Sequence, residues 1–166
     1  MIYDRRMGYE PSAAELAHLN RCAELAAEAL DAADEPFGSV LVAASGKVLF
    51  EDRNRVAGGD QTRHPEFEIA RWAAANMTVR DRADATVYTS GEHCPMCSAA
   101  HAWVGLGRIV YIMSSRQLVD LRTELGVPPG PVAAIPIQDV APGVPVDGPV
   151  AALEAAMRDL HTRACT

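Results

Sequence analysis

The sequence predicts an α/β fold, a three-layer α/β/α sandwich in which helices cover both faces of a central mixed five-stranded sheet. Short runs rich in valine and isoleucine alternate along the chain with stretches whose apolar residues recur at helical spacing. Two of those runs, at 85–89 and 108–113, flank one helix-length segment, a pattern typical of a crossover between parallel strands. The 166 residues match the usual size of one domain, so we expect a single domain over residues 1–166.

The first predicted elements are an amphipathic helix and a hairpin. Ser12 and Glu15 have the spacing of a capping box, and they introduce apolar residues at helical spacing through residues 12–31. Two apolar runs follow at 36–43 and 47–51, separated by a short turn that contains glycine. This arrangement predicts two antiparallel strands.

The next two helices are marked by proline. Pro65 and Pro95 each precede a stretch with helical spacing, and proline suits the first turn of a helix because its missing N–H has no partner there. We therefore expect helices over 65–77 and 95–105. A polar loop over 53–63 leads the chain from the hairpin into the first of them.

The last third of the chain is rich in proline and glycine. A short helix is predicted at 117–125, ending before Gly126. A fifth strand is predicted near 134–137, parallel to the strand at 108–113, because the helix between them supplies a crossover. Apolar residues at helical spacing predict a terminal helix over 150–161.

The composition disfavours several classes of protein. The net charge of -7 disfavours binding to phosphate backbones, and no apolar run is long enough to span a bilayer. Residues 1–6 lack the apolar core of a secretory signal. Two of the four cysteines, Cys22 and Cys165, are isolated in the sequence. We therefore expect a cytoplasmic protein with no membrane partner and no nucleic-acid partner.

Four residues have the spacing of a catalytic zinc site. Cys94 and Cys97 lie three positions apart at a predicted helix start, and His64 precedes another helix start. Zinc held by three protein ligands keeps one position open for water and lowers the pKa of that water toward neutrality. Glu66 follows His64 by two positions, where it could carry protons without binding the metal.

These residues carry a resemblance to a known family. His64-Pro65-Glu66 and Cys94-Pro95-Met96-Cys97 match the zinc deaminase pattern of a His-x-Glu followed by Cys-x-x-Cys. The chain resembles the cytidine and nucleobase deaminase superfamily over residues 35–113. The resemblance implies the cytidine-deaminase-like fold, Zn2+ as cofactor, hydrolytic deamination of an amine-bearing ring, Glu66 as general acid and base, and a homodimer.

Further residues are implied to contact the substrate. Asn54 follows the second strand, where similar nucleobase deaminases place an asparagine that binds the base, and Phe37 matches the family's active-site wall. Pro65 and His93 depart from the family, which usually has a residue with an N–H at the first position and proline at the second. We expect these two departures to affect which substrate is bound.

Several functions remain open at the level of sequence. Cys-Pro-Met-Cys followed by Ser98 is most similar to guanine deaminases and bacterial tRNA adenosine deaminases, and a guanine-like free base is favoured as substrate. The alternatives are a tRNA-editing adenosine deaminase, a deaminase of free cytosine or another aminopyrimidine, and a non-catalytic zinc-binding protein. A closed structural zinc site would need His93 or His101 as fourth ligand, and it would leave Glu66 without a purpose.

Overall fold

The computed structural model of the protein describes residues 8–166, which form seven α-helices and five strands. The helices are α1 (Ala13–Asp31), α2 (Pro65–Asn76), α3 (Val79–Asp84), α4 (Pro95–Trp103), α5 (Ser115–Glu124), α6 (Ile137–Val140) and α7 (Ala151–Ala164). The strands are β1 (Gly38–Val42), β2 (Val48–Arg53), β3 (Thr86–Gly91), β4 (Arg108–Met113) and β5 (Val146–Asp147).

The five strands form one mixed sheet in the order β2-β1-β3-β4-β5. Strand β1 is antiparallel to both β2 and β3, whereas β3, β4 and β5 run parallel to one another. The predicted hairpin and the predicted parallel pairing of the third and fourth strands are confirmed. In this register Thr89 lies beside Ser39 on one neighbouring strand and Tyr111 on the other.

Helices cover both faces of the sheet, which confirms the predicted three-layer sandwich. Along β1, Val40 packs in a core with α1 and α7, whereas Leu41 points the other way into a core with α2. The central strands are therefore buried on both faces, which explains their nearly continuous apolar sequences. Among residues 8–166, no helix is both long enough and apolar enough to cross a membrane.

The N-terminus of α1 is capped as its sequence predicts. Ser12 and Glu15 form the capping box of α1, with the Ser12 side chain accepting from the Glu15 backbone and the Glu15 carboxylate accepting from the Ser12 backbone. A side chain at Gly38 would contact Leu25 and would lie 2.6 Å from the Cys22 carbonyl oxygen. The glycine therefore allows α1 to lie directly on β1, close to the start of the functional site at Phe37.

The predicted position of the fifth strand is wrong. Residues 134–136 form no strand, and Ile137 instead begins the short helix α6. Pro136 has no N–H for a strand ladder, and the Ile137 N–H donates to the Glu92 carboxylate at 2.9 Å. The fifth strand lies at Val146–Asp147, where it is parallel to β4 as expected. The remaining predicted elements are present within a few residues of their expected bounds, and α3 is an additional helix that begins after Thr78.

Candidate active site

The residues predicted to bind metal lie where two helices begin beside each other. His64 is the N-cap of α2 and Cys94 is the N-cap of α4, and α2 packs against α4. Each residue precedes a proline, which favours an extended backbone at that position. Neither side chain caps its own helix, so the imidazole and the thiol are free for other partners.

The three predicted ligands lie together with the geometry that zinc requires. The His64 Nδ1 atom lies 3.6 Å from Cys94 Sγ and 3.6 Å from Cys97 Sγ. Tetrahedral zinc, with Zn–S of about 2.3 Å and Zn–N of about 2.0 Å, would separate each nitrogen–sulfur pair by about 3.5 to 3.6 Å. Within residues 8–166, these are also the only three His, Cys, Asp or Glu residues whose ligand atoms cluster within 4.8 Å of one another. The donor set therefore fits a zinc ion.

The two cysteines differ in their readiness to lose a proton. A hydrogen bond with Cys97 lowers the pKa of Cys94 to about 4, and a hydrogen bond with His64 contributes to the same effect. The contact with Cys94 and burial raise the pKa of Cys97 well above its ordinary value. A metal held by both sulfurs would displace the remaining proton, because cysteine ligates metals as the thiolate.

Glu66 is buried beside the ligand cluster and lines the same cavity as His64 and Cys94. Burial raises the pKa of Glu66 to about 7, against the lowering effects of nearby His64 and of a hydrogen bond from Thr89. The Thr89 hydroxyl lies 3.1 Å from Glu66 Oε1. A carboxyl group in this position can both accept and release a proton during a reaction.

The cavity over this cluster has a volume of about 180 Å³. Its walls combine the ends of α2 and α4 with the first turns of α5 and the segment 132–134. The lining consists of Glu35, Phe37, His64, Glu66, Glu92, Cys94, Pro95, Ser115, Leu118, Val119, Arg122, Val132, Ala133 and Ala134. Apolar side chains form most of the walls, and three carboxylates and one guanidinium provide the charges.

The residues predicted to bind substrate are only partly brought together. Phe37 lines the cavity, whereas Asn54, Pro65 and His93 are absent from its lining among residues 8–166. Asn54 is fully buried, and its Nδ2 atom has no hydrogen-bond partner within the described residues. Phe37 lies against Gly91, where an added side chain would come within 3.1 Å of the ring.

His93 and His101 lie next to each other, away from the ligand cluster. Both side chains are buried, and their ring centroids are 5.2 Å apart in an edge-to-face arrangement. Burial lowers the pKa of each imidazole, to about 4 for His101. His101 Nε2 is 2.7 Å from the Gly107 carbonyl oxygen, and neither histidine joins the metal-binding cluster of the described residues. The fourth ligand that a closed structural site needs is therefore absent from this part of the chain.

Several residues of the site were not singled out from the sequence. Glu92 lies two residues before Cys94, and its carboxylate accepts from the Ser115 N–H at 2.7 Å and from the Ile137 N–H at 2.9 Å. Glu35 and Arg122 form an ion pair in the cavity wall, with Oε1 and Nη2 3.4 Å apart. The position of Glu92 just before the cysteine motif could have marked it as a site residue. Glu35 and Arg122 are 87 residues apart, and no sequence pattern links them.

Comparisons with known proteins agree with this geometry. Residues 13–113 match the family model described as the cytidine and deoxycytidylate deaminase zinc-binding region. A probable cytosine deaminase of Schizosaccharomyces pombe is 34% identical over 117 residues, which cover 70% of this chain and 71% of the relative. Guanine deaminase of Bacillus subtilis is 35% identical over 95 residues, which cover 56% of this chain and 60% of the relative.

A solved structure extends the likeness in fold to nearly the whole chain. The guanine deaminase from Nitrosomonas europaea superposes with a TM-score of 0.71 at 21% identity, covering 96% of this chain and 88% of that protein. With the family model matching residues 13–113, and with a zinc-ligand geometry on the same residues, the chain belongs to the cytidine and deoxycytidylate deaminase family of zinc-dependent hydrolases that act on C–N bonds.

Proposed function

We propose that this enzyme deaminates a free nucleobase by hydrolysis, converting a ring amine to an oxo group and releasing ammonia. A guanine-like purine is the favoured substrate. The observation that carries the proposal is that the buried carboxyl of Glu66 and the ligands His64 and Cys94 line one small cavity. A base bound there would place its amine-bearing carbon against both groups.

Each residue of the site has a separate role in this proposal. His64, Cys94 and Cys97 hold zinc, which when bound supplies an activated water molecule as nucleophile. Glu66 accepts a proton from the attacking water and passes it to a ring nitrogen of the base. It then transfers the remaining hydroxyl proton to the amine, which departs as ammonia and leaves the oxo group, so that the carboxyl ends the cycle as it began. Phe37 and the apolar residues of α5 enclose the ring and exclude bulk water.

The charges of the cavity support a substrate without phosphate. Glu35, Glu66 and Glu92 all line it, and carboxylates accept hydrogen bonds from ring N–H and amine groups. Among the lining residues that the structure describes, Arg122 is the only lysine or arginine, and it pairs with Glu35. The carboxylates of this cavity would repel a nucleotide phosphate, whereas they would not repel a neutral base.

The size of the cavity supports the same conclusion. Its volume of about 180 Å³ is below the range of about 300 to 1,000 Å³ that is usual for drug-sized ligands. A single flat base fits this scale better than a nucleoside with its sugar. The 35% identity to the Bacillus subtilis guanine deaminase supports guanine as the first base to examine.

Asn54 is a further candidate for recognising the base, although it is fully buried and lies outside the cavity lining of the described residues. Its Nδ2 atom is buried without a partner in residues 8–166, and an unpaired buried donor costs about 1–3 kcal/mol. A substrate carbonyl or ring nitrogen could satisfy it. Pro65 offers no N–H to the substrate, so Asn54 is a candidate for the donor that the family's usual residue at this position would supply.

Cytosine is the second candidate substrate, because a probable cytosine deaminase of Schizosaccharomyces pombe is 34% identical over 70% of this chain. Ammonia release from the zinc-loaded protein tests both candidates. Guanine, cytosine, adenine and isocytosine, their nucleosides and nucleotides, and an RNA stem-loop should be compared at matched concentrations. We expect turnover of a free base, guanine first, and much slower turnover of the matching nucleotide. Turnover of the RNA alone would instead indicate a tRNA-editing enzyme.

The assembly and location of the enzyme stay predictions. The family resemblance implies a homodimer, which sedimentation of the purified protein would detect. The cysteine content predicts a cytoplasmic protein, and fractionation of the source cells would test that prediction.

A further inference from the structure

The carboxyl of Glu66 is held by a chain of buried hydroxyl groups. Ser39 and Thr89 lie side by side on β1 and β3, and both are fully buried. The Ser39 hydroxyl donates to Thr89 Oγ1 at 2.8 Å. Thr89 Oγ1 in turn lies 3.1 Å from Glu66 Oε1 and 3.0 Å from the Gly91 carbonyl oxygen. Thr89 is therefore surrounded by one donor and two acceptors.

A hydroxyl group has one hydrogen and two lone pairs, so Thr89 cannot donate to both acceptors at once. When Glu66 is a carboxylate, the Thr89 hydrogen points to Oε1 and one lone pair accepts from Ser39. When Oε1 carries a proton, that O–H donates to the second lone pair of Thr89. The Thr89 hydrogen then turns to the Gly91 carbonyl oxygen, and Ser39 continues to donate.

We propose that Thr89 is the positioning residue of the proton carrier, satisfying the Glu66 carboxyl both before and after it takes a proton. The inference rests on the proposed role of Glu66 in deamination. Thr89 gives up no proton in either state of Glu66, because the change between the two states requires only a rotation of the Thr89 O–H bond. The heavy atoms stay in place, so the carboxyl can accept and return a proton without losing its hydrogen bond or moving.

The burial of Glu66 makes its hydrogen bond with Thr89 difficult to replace. Glu66 is only 5% exposed, and water cannot readily replace a lost partner at such a position. Without the Thr89 hydroxyl, one carboxylate oxygen loses a fixed donor and the side chain can rotate away from the reacting atoms. If the free energy of a hydrogen bond to a charged group is lost from the transition state, the rate falls by about ten- to a hundredfold.

Three variants isolate the contribution of the Thr89 hydroxyl. Thr89→Val replaces it with a methyl group of similar size, and Thr89→Ala and Thr89→Ser differ from each other by one oxygen atom. We expect Thr89→Val and Thr89→Ala to lower kcat by about ten- to a hundredfold with little change in KM. Thr89→Ser should retain nearly the full kcat. Zinc content and the melting temperature show whether each variant is folded and loaded, and the Ala/Ser pair decides the question if the valine variant does not fold.

Combining Thr89→Val with Glu66→Gln in a double variant distinguishes a positioning role of Thr89 from a merely structural one. If Thr89 acts through the Glu66 carboxyl, then Thr89→Val should cost less than about twofold in that background, because interacting residues are not additive. An equal loss in both backgrounds would overturn the proposal, as would full kcat in zinc-loaded Thr89→Val or an equal loss in Thr89→Ser and Thr89→Ala. These results bear on Thr89 only when the native enzyme releases ammonia and Glu66→Gln is impaired. A native enzyme that deaminates no base would contradict the proposed function instead.

Discussion

Each residue proposed to bind zinc lies in a short sequence pattern that favours both its backbone conformation and its chemistry. His64 and Cys94 both stand before a proline, and the structure gives both an extended backbone at the N-cap of a helix. Cys97 lies one turn into α4 and is fully buried. This cluster was predictable because each part of the motif is local in the chain and because the pattern of the zinc deaminases joins the two parts.

The first prediction concerns the metal. Cys97→Ala should abolish stoichiometric zinc, because the remaining two side chains cannot form a three-ligand site. Cys165→Ala is the matched control, since this cysteine is exposed and outside the cluster, and it should retain one zinc per chain. Metal analysis of the dialysed proteins provides the measurement, and full occupancy in Cys97→Ala would show that the ligand assignment is wrong.

Other residues of the site could not be predicted, because their roles depend on contacts between distant segments. Thr89 and Glu66 are 23 residues apart and meet only after β3 is placed beside α2. Hydroxyl residues in a strand are common, and nothing in the sequence distinguishes Thr89 from a residue that merely packs. His93 was expected to face the substrate because of its place in the motif, yet it is buried beside His101 and outside the cavity lining.

At the scale of elements, Glu92 joins three segments that surround the cavity. It precedes α4, and its two carboxylate oxygens accept from the first residue of α5 and from the first residue of α6. Ser115 and the segment 132–134 line the cavity with it. This carboxylate therefore helps to fix the position of two segments that line the cavity.

The second prediction follows from that role. Glu92→Ala should reduce the free energy of unfolding by about 1–3 kcal/mol and raise KM, because a buried N–H at Ile137 loses its partner and the wall can move. Glu124→Ala, which removes an exposed carboxylate from α5, serves as control and should change stability by less than about 0.5 kcal/mol. Chemical denaturation and initial-rate kinetics measure the two effects. An unchanged KM in Glu92→Ala would show that this contact does not shape the substrate site.

The positions of most elements were predictable from periodicity and capping residues. The fifth strand is the exception, and its misplacement has a physical cause. The segment 127–149 has several prolines and glycines, and apolar residues in it are partly exposed, such as Val132 and Ile135. A run of apolar residues there indicates a strand only if backbone partners are available. The two-residue strand β5 forms where β4 has a free edge, which local sequence cannot reveal.

At the scale of the whole molecule, one ionic network ties the first helix to the far edge of the sheet. Arg108 of β4 lies 2.6 Å from Glu15 of α1 and 2.7 Å from Asp147 of β5. The Tyr9 hydroxyl belongs to the same network and donates a hydrogen bond to the Glu15 carboxylate. Burial acts to raise the pKa of Glu15, but hydrogen bonds from Arg108, the Ser12 backbone and Tyr9 lower it to about 2.

The third prediction is the pH dependence of that network. The folded state holds the pKa of Glu15 below its ordinary value of 4.5, so the carboxylate stabilises the fold above pH 4.5. This stabilisation, about 1–3 kcal/mol, is lost as the pH falls toward 2. Glu15→Gln should therefore lower the free energy of unfolding at pH 7 and reduce its dependence on pH between 4.5 and 2, whereas exposed Glu10→Gln should do neither. An unchanged pH dependence in Glu15→Gln would contradict the role of the network.

Zinc-loaded Glu66→Gln tests the role of the carboxyl most directly, because it keeps the shape of the side chain and removes its ability to carry a proton. Metal content and ammonia release should be measured on the same preparations of native and variant protein, with the best free base as substrate. We expect one zinc per chain in both and a fall in kcat of at least about 10²-fold in the variant. Near-native turnover by the zinc-loaded variant would contradict the proposed mechanism.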